Sequence, residues 1–212
     1  MFVAFYHGVS NGWPGLIDRA IQSVLAGDFS HCEIVFEPGD GVEQFVDDKN
    51  LEPDATGAYW SASASMMDYM PEGSPRQGKL GGVRFKRIRF SSKNWTCVPV
   101  HLSAYEAAKF FYERRGKKYA IKGTLSHALK FLRFTPGTYN CSLICAGALG
   151  YPEGFRFDPC NLFIALATFN ALMGSQPLEQ RQKLWIEYVK SFTRENAFDG
   201  WNTLDWPENY LA

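Results

Sequence analysis

The stretch FSHCEIVFE, residues 29–37, has the pattern of a β-strand that opens with a histidine and carries an acid two residues later. An apolar run, residues 34–36, follows. Because side chains alternate between the two faces of a strand, His31 and Glu33 are expected on one face, where Glu33 can orient the imidazole ring or shape a cleft beside it. Such a histidine is a core residue bonded within the sheet, a metal ligand, or half of a catalytic pair.

The composition is that of a globular protein without a charge excess. The 212 residues fit one compact domain, or one domain with an appendage, and 46% of them are hydrophobic. Lys+Arg and Asp+Glu both number 22, so no basic surface for nucleic acid or anionic lipid is predicted. The five cysteines are an odd number without paired spacing, which favours reduced thiols over a disulfide framework. A small neutral substrate or a protein partner therefore fits better than a nucleic acid.

No targeting or membrane-spanning segment is predicted. The N-terminal stretch MFVAFYHGVSNGWPG lacks the basic segment, long apolar run and small-residue cleavage site of a signal peptide. The longest apolar stretch, residues 162–173, is shorter than the ~20 residues that cross a bilayer, and it is interpreted as a buried or docking helix. The predicted location is cytoplasmic or virion-associated.

The apolar periodicity predicts a mostly antiparallel sheet followed by helices. Strands are predicted at 2–7, 31–36, 42–46, 58–64, 81–90 and 96–102. Six helices are predicted. The first ends at Gly27, the second runs from the capping box at 103–106 to Gly116, and the third covers 124–132. The fourth runs from Asn140 to Gly150, the fifth begins after 158–161, and the sixth covers 178–192. Turns are predicted at 116–123 and in the tail, 198–212.

A cysteine stands at the predicted start of a helix, in the stretch NCSLICAGALG, residues 140–150. Asn140 can cap this helix, and a thiolate at Cys141 would be stabilised by the helix dipole and by the first-turn N–H groups. These effects lower the pKa of a cysteine, and the same amides can stabilise an oxyanion. The nucleophile still needs a proton acceptor that becomes the acid for the leaving group, and His31 is the best-placed candidate.

These segments together resemble a known family. FSHCEIVFE, GGVRFKRI, Trp95, the GKKY turn and YNCSLICAGALG are similar to the circularly permuted branch of the papain-like NlpC-type superfamily, often called YiiX-like, over roughly residues 1–150. In that branch the histidine precedes the cysteine, as His31 precedes Cys141. The resemblance implies an α+β fold, in which the cysteine helix packs on a small antiparallel barrel-like sheet. Residues 1–160 would then be the catalytic domain and 161–212 a helical extension packed on it.

The activity that the resemblance implies is that of a cysteine peptidase or amidase. Cys141 would attack a peptidoglycan peptide or a lipid-acyl amide, and His31 would move the proton. Glu33 is the further catalytic candidate, on the strength of its strand position beside His31. No cofactor is predicted. The alternative is a non-enzymatic papain-like structural or interaction module of a larger assembly, such as a phage particle, that docks through its C-terminal helices.

The chain departs from the family pattern where relatives carry acids. Relatives have an acid on a strand after the histidine strand, where this chain offers only serines, or Glu43 and Gln44 upstream. The acids that follow the Cys-Ser pair and the turn tyrosine are replaced by Leu143 and Ala120. The third catalytic residue therefore stays open.

Further polar residues are candidates for substrate binding. The candidates are Tyr119, in the turn that matches the family, His7, at the end of the first strand, and Ser61 and Ser63, on one strand face. The methionines of residues 66–70 either form an adaptable apolar lip of the cleft that contacts an acyl chain, or belong to a loop that packs on the core. Cys145 lies one turn after Cys141, and these two cysteines together with His31 suggest a zinc site. The paired spacing of zinc ligands is missing, so no metal is predicted.

Overall fold

An antiparallel sheet of five strands forms the centre of the fold. The computed structural model describes residues 1–8, 12–25, 27–120, 137–151 and 157–190. The strands are β1 (Phe2–Tyr6), β2 (His31–Val35), β3 (Tyr59–Tyr69), β4 (Leu80–Ile88) and β5 (Trp95–Pro99), and their spatial order is β4-β3-β2-β1-β5. Five of the six predicted strands are thus confirmed, although β3 continues to Tyr69 rather than ending at residue 64.

Five helices surround the sheet in the described part of the chain. They are α1 (Trp13–Leu25), α2 (Ala104–Arg114), α3 (Cys141–Ala148), α4 (Pro159–Met173) and α5 (Leu178–Lys190). The Ser103 hydroxyl accepts the N–H of Glu106 at the start of α2, and the Asp158 carboxylate accepts that of Asn161 at the start of α4. These caps explain why both helix starts were predictable. The helix predicted at 124–132 and the tail at 198–212 lie outside the described residues.

Two predicted elements differ in the structure. Residues 42–46 form not a strand but a single 3-10 turn, Glu43–Phe45, between the buried side chains of Val42 and Val46. Local bonds, such as the 3.0 Å bond from the N–H of Phe45 to the carbonyl of Val42, replace those a strand would take from a neighbour. The predicted turn at 116–123 contains a two-residue strand, β6 (Lys118–Tyr119), which pairs in parallel with β7 (Thr138–Tyr139).

A glycine fixes the segment before β6 against the sheet. The N–H of Val83 bonds to the carbonyl of Lys117 at 3.0 Å, and a Cβ at Gly82 would lie 2.6 Å from that same oxygen. Gly82 also has a φ of +156°, which residues with side chains rarely adopt. This close approach brings Tyr119 to the sheet face that carries His31.

The opposite face of the sheet is apolar and is covered by helices α2 and α3. It presents Val3, Ile34, Ala62 and Phe85, all buried, to helices α2 and α3. Helices α4 and α5 extend this core with a further set of buried side chains: Leu162, Leu166, Phe169 and Trp185. The architecture is therefore mixed α+β. In the described residues, no helix is both long and apolar enough to cross a bilayer.

Candidate functional site

Helix α3 presents Cys141 as its first residue. Asn140 has extended backbone angles (φ −96°, ψ 175°), and its Oδ1 accepts the N–H of Leu143 at 2.7 Å and the hydroxyl of Ser142 at 3.2 Å. The cap holds the helix start in place, and the first-turn amides and the positive end of the helix dipole favour a negative charge at the Cys141 sulfur. The predicted position of Cys141 at a capped helix start is confirmed.

His31 and Glu33 lie on the same face of β2 and are bonded to each other. The His31 Nε2 is 2.8 Å from Glu33 Oε1. The His31 side chain is 23% exposed and Glu33 is fully buried, so the carboxylate holds the ring from the protein side while the ring keeps some contact with solvent. Glu33 thus orients the imidazole, one of the two roles considered for it.

A buried arginine balances the charge of Glu33. Arg84, on β4, donates to both carboxylate oxygens of Glu33, from Nη2 to Oε1 at 2.6 Å and from Nη1 to Oε2 at 2.8 Å. Its Nε also donates to Asp68 Oδ2 at 2.8 Å, and Asp68 Oδ1 accepts from the half-exposed Lys86 at 2.7 Å. The register between β3 and β4 shifts between Ser65 and Tyr69, beside this pair. The result is a chain of alternating charges from His31 to the surface.

Ion pairing keeps Glu33, Asp68 and Arg84 in their charged forms. Burial acts against a charge on Glu33, but the charge and hydrogen bonds of Arg84, with those of His31, lower the pKa of Glu33 to about 2. Arg84 and Lys86 likewise lower the pKa of Asp68 against the effect of its burial. The two carboxylates raise the pKa of Arg84 although burial opposes its charge, so Glu33 faces His31 as a carboxylate at neutral pH.

His31 and Cys141 polarise each other. Burial disfavours the imidazolium, but the negative charge of Cys141, followed by hydrogen bonding with Cys141 and Glu33, raises the pKa of His31. Hydrogen bonding from Cys32 and, against the effect of burial, the charge of His31 lower the pKa of Cys141. The 2.8 Å bond to Glu33 uses Nε2 of the His31 ring, so Nδ1 is the ring nitrogen left for Cys141. Both shifts favour a thiolate–imidazolium pair.

The pairing of β2 with β3 stops before Cys32, and α3 packs against β2 at that point. Ile34 pairs with Ala62 on β3, but the pairing of β2 with β3 does not continue to Cys32. The Cys32 carbonyl instead accepts the hydroxyl of Ser63 at 2.7 Å and the thiol of Cys145 at 3.7 Å, and the main-chain N–H of Cys32 interacts with Cys141. Cys141 and Cys145, one helical turn apart, therefore take the place of a strand partner.

A cleft of about 340 Å³ adjoins His31. Its lining is amphipathic: Tyr6, Asp18, Ile21, Ser30, His31, Glu33, Ser65, Met66, Met67, Asp68, Arg84, Lys86, Ile88, Trp95 and Tyr119. Trp95 meets His31 edge to face, with 6.4 Å between ring centroids. Tyr119 lies in this wall, as do two of the methionines considered for an acyl lip.

Three of the predicted substrate-binding residues lie elsewhere. Ser61 and Ser63 are fully buried, and their hydroxyls donate to the carbonyls of Lys86 and Cys32 within the sheet. Their expected position in the cleft is therefore corrected, because these bonds turn both side chains into the protein. His7 lines a separate hollow of about 440 Å³ beside Phe29.

Three residues of the site were not recognised from the sequence: Arg84, Asp68 and Cys32. Arg84 stands in the predicted strand 81–90 and is only 3% exposed, although arginine is mostly a surface residue. Cys32, between His31 and Glu33, was counted only as a free thiol. An arginine flanked by apolar residues in a strand was the available signal for a buried ion pair, with no indication of its partner.

Neither a metal cluster nor a relative identifies the site. Within the described residues, no group of three His, Cys, Asp or Glu side chains is arranged to hold a metal ion. Comparison of the chain with protein-family models, curated proteins and solved structures gives no match in any of the three.

Proposed function

We propose that this protein is a cysteine hydrolase that cleaves an amide bond. The observation that carries the proposal is the polarised pair of Cys141, at the start of α3, and His31, at the start of β2, with Glu33 holding the imidazole at 2.8 Å. Acyl transfer by a thiol requires these three functions: a nucleophile ionised near neutral pH, a proton carrier and a group that orients it.

In the proposed mechanism, the Cys141 thiolate attacks the amide carbonyl carbon and forms a C–S bond. The first-turn amides of α3 stabilise the negative charge that develops on the carbonyl oxygen. The His31 imidazolium gives its proton to the amine nitrogen as the C–N bond breaks. The neutral ring then takes a proton from water, which attacks the thioester, and the acid product and the Cys141 thiolate are released.

The chain order supports a permuted papain-like core for this proposal. His31 lies on a strand of the sheet early in the chain, and Cys141 opens a later helix that packs on that same strand through Cys32. This is the order that the family resemblance implies. Glu33 then takes the place of the acid that relatives carry on a later strand, and Arg84 keeps it ionised.

The lining of the cleft favours a substrate that has both apolar and charged groups. Met66, Met67 and Trp95 offer apolar surface, while Lys86 and Asp68 offer charge at the same opening. A peptidoglycan peptide and an acyl amide both have this mixed character, and they are the two substrate classes we propose.

The pH dependence of Cys141 alkylation by iodoacetamide tests the proposal. Between about pH 6 and 8, we expect the alkylation rate of a preformed thiolate at Cys141 to change less than about threefold. The rate at the exposed Cys97, whose pKa is raised by partial desolvation of its thiol, should rise roughly tenfold per pH unit in the same protein. Mass spectrometry of tryptic peptides gives both rates from one sample.

The matched control is His31→Gln, whose amide can still bond to Glu33 but carries no positive charge. We expect Cys141 in this variant to follow the steep profile of Cys97. A wild-type Cys141 that follows Cys97, or does not react where Cys97 does, would contradict the hydrolase proposal. If the flat profile is found, release of amine from peptide and acyl-amide substrates separates the two substrate classes.

A non-enzymatic interaction module is the second candidate. Cys141 is 4% exposed, while α4 and α5 expose Ile164, Leu172 and Ile186 at 59%, 64% and 52%. Low exposure of the nucleophile together with apolar side chains on the outer helices favours this candidate if the alkylation test fails.

A further inference from the structure

Three buried thiols meet between β2 and α3. All five cysteines are free, and three of them, Cys32, Cys141 and Cys145, belong to the same buried core cluster. Cys97 lies exposed on β5, and the thiol of Cys160 donates to the carbonyl of Phe29. The candidate nucleophile therefore has two neighbouring thiols, which the hydrolase mechanism does not use.

Cys32 lies directly against Cys141. Both the side chain and the main-chain N–H of Cys32 interact with the Cys141 sulfur, and the Cys32 carbonyl accepts from Cys145, the next residue on the same helix face. The side chain of Cys32 is fully buried on the sheet face that α3 covers. Cys32 and Cys141 are thus neighbours in the buried contact between β2 and α3.

We propose that Cys32 is a resolving thiol that forms a reversible disulfide with Cys141 after a hydroperoxide has oxidised Cys141. The disulfide blocks the nucleophile and protects it from irreversible oxidation. This inference rests on the proposed function only through the reactivity of Cys141, and it requires no amide substrate.

The chemistry takes two steps. The Cys141 thiolate attacks one oxygen of hydrogen peroxide, the O–O bond breaks, and the leaving hydroxide takes the His31 proton to become water; Cys141 becomes a sulfenic acid. The Cys32 sulfur then attacks the Cys141 sulfur, the S–O bond breaks, and hydroxide leaves with the Cys32 proton as a second water. An external dithiol returns the two electrons and restores both thiols.

Cys145 is a poorer partner because it lies on the same helix as Cys141. Residues four apart in a helix are separated by about 6 Å along the axis, and their Cα–Cβ bonds point in the same direction. A disulfide needs Cβ atoms about 3.8 Å apart. Cys32 approaches from a different element, so its Cβ can face that of Cys141.

The test is peroxide treatment of the reduced full chain, followed by thiol counting in denaturant and a non-reducing peptide map. We expect the thiol count to fall from five to three, since one disulfide uses two thiols. The linked peptides should contain Cys32 and Cys141, and dithiothreitol should restore all five thiols. A link that contains Cys145 or Cys97 in place of Cys32 would overturn the proposal.

Two variants sharpen the test. In Cys32→Ala, Cys141 should proceed to a sulfinic acid that dithiothreitol does not reduce, whereas Cys145→Ala should still form the Cys32–Cys141 link. If wild-type Cys141 is oxidised without linking to Cys32, the resolving role fails and the hydrolase proposal stands. If Cys141 resists peroxide while Cys97 is oxidised, both proposals fail. The wild-type peptide map decides the question even if a variant does not fold.

Discussion

The ion-pair cluster on β2 and β4 and the aromatic cluster of α4 and α5 are both buried, but they are held together differently. In the first, Glu33 and Arg84 are 0% and 3% exposed, and two charged hydrogen bonds join them. In the second, the Trp185 ring lies 4.7 Å from Phe169 and 5.9 Å from Tyr188. Aromatic packing depends on area and shape, whereas a buried charge requires its partner. Volume-conserving substitutions should therefore separate the two regions.

The largest effect is expected for Arg84→Met, which keeps much of the side-chain volume but removes the charge. Glu33 is then a buried carboxylate without its cation, and loss of one partner of a buried ion pair costs about 3–5 kcal/mol of unfolding free energy. Urea unfolding followed by circular dichroism measures this loss. The double variant Glu33→Gln/Arg84→Met should recover most of it, because no uncompensated charge remains.

Lys86→Met is the matched control for Arg84→Met. Lys86 also pairs with Asp68, but its side chain is 50% exposed, so its removal should cost at most about 1 kcal/mol. Equal losses of unfolding free energy in the Lys86 and Arg84 variants would show that burial of an ion pair does not determine how much the pair stabilises the fold. The contrast between the ion-pair cluster and the aromatic cluster would then not hold.

Trp185→Phe is the corresponding change in the aromatic cluster. The phenyl ring keeps much of the contact with Phe169, but the 3.1 Å bond from the indole N–H to the Leu149 carbonyl is lost. We expect a loss of about 1–2 kcal/mol in the same unfolding assay, smaller than that of Arg84→Met. Ile186→Ala, on the exposed side of the same helix, should change the stability by less than about 0.5 kcal/mol. A loss for Trp185→Phe as large as that for Arg84→Met would remove the distinction.

The parts of the site that the sequence predicted are local. Asn140 caps α3 within three residues of itself, and His31 and Glu33 share a face because a strand alternates at every residue. Both inferences need only the spacing within one element. The positions of Cys141, His31 and Glu33 could therefore be predicted before any tertiary structure was known.

The parts that could not be predicted depend on contacts between elements. Arg84 reaches Glu33 across 51 residues, through the registers of β2, β3 and β4, and no local pattern encodes those registers. Residues 42–46 show the opposite case, in which a strand-like pattern lacked a neighbouring strand and became a 3-10 turn. The role of Cys32 likewise depends on where α3 meets the open part of the sheet.

A small, pH-dependent effect is expected at the edge of the aromatic cluster, where His101 meets Arg181 of α5. The two side chains are 2.6 Å apart, and burial together with the Arg181 charge lowers the pKa of His101 from its ordinary 6.5. The folded state therefore favours the neutral ring, and this contribution to stability is present above pH 6.5 and is lost as the pH falls below it. When the pH is lowered from about 7.5 to about 5.5, the unfolding free energy of the wild type should fall more than that of His101→Gln. The difference between the two losses should be less than about 1 kcal/mol, because the site is partly exposed. Glutamine can accept the same bond from Arg181 but takes up no proton, and every other titrating group is shared by the two proteins. Equal losses would mean that the docking of α5 does not depend on the charge of His101.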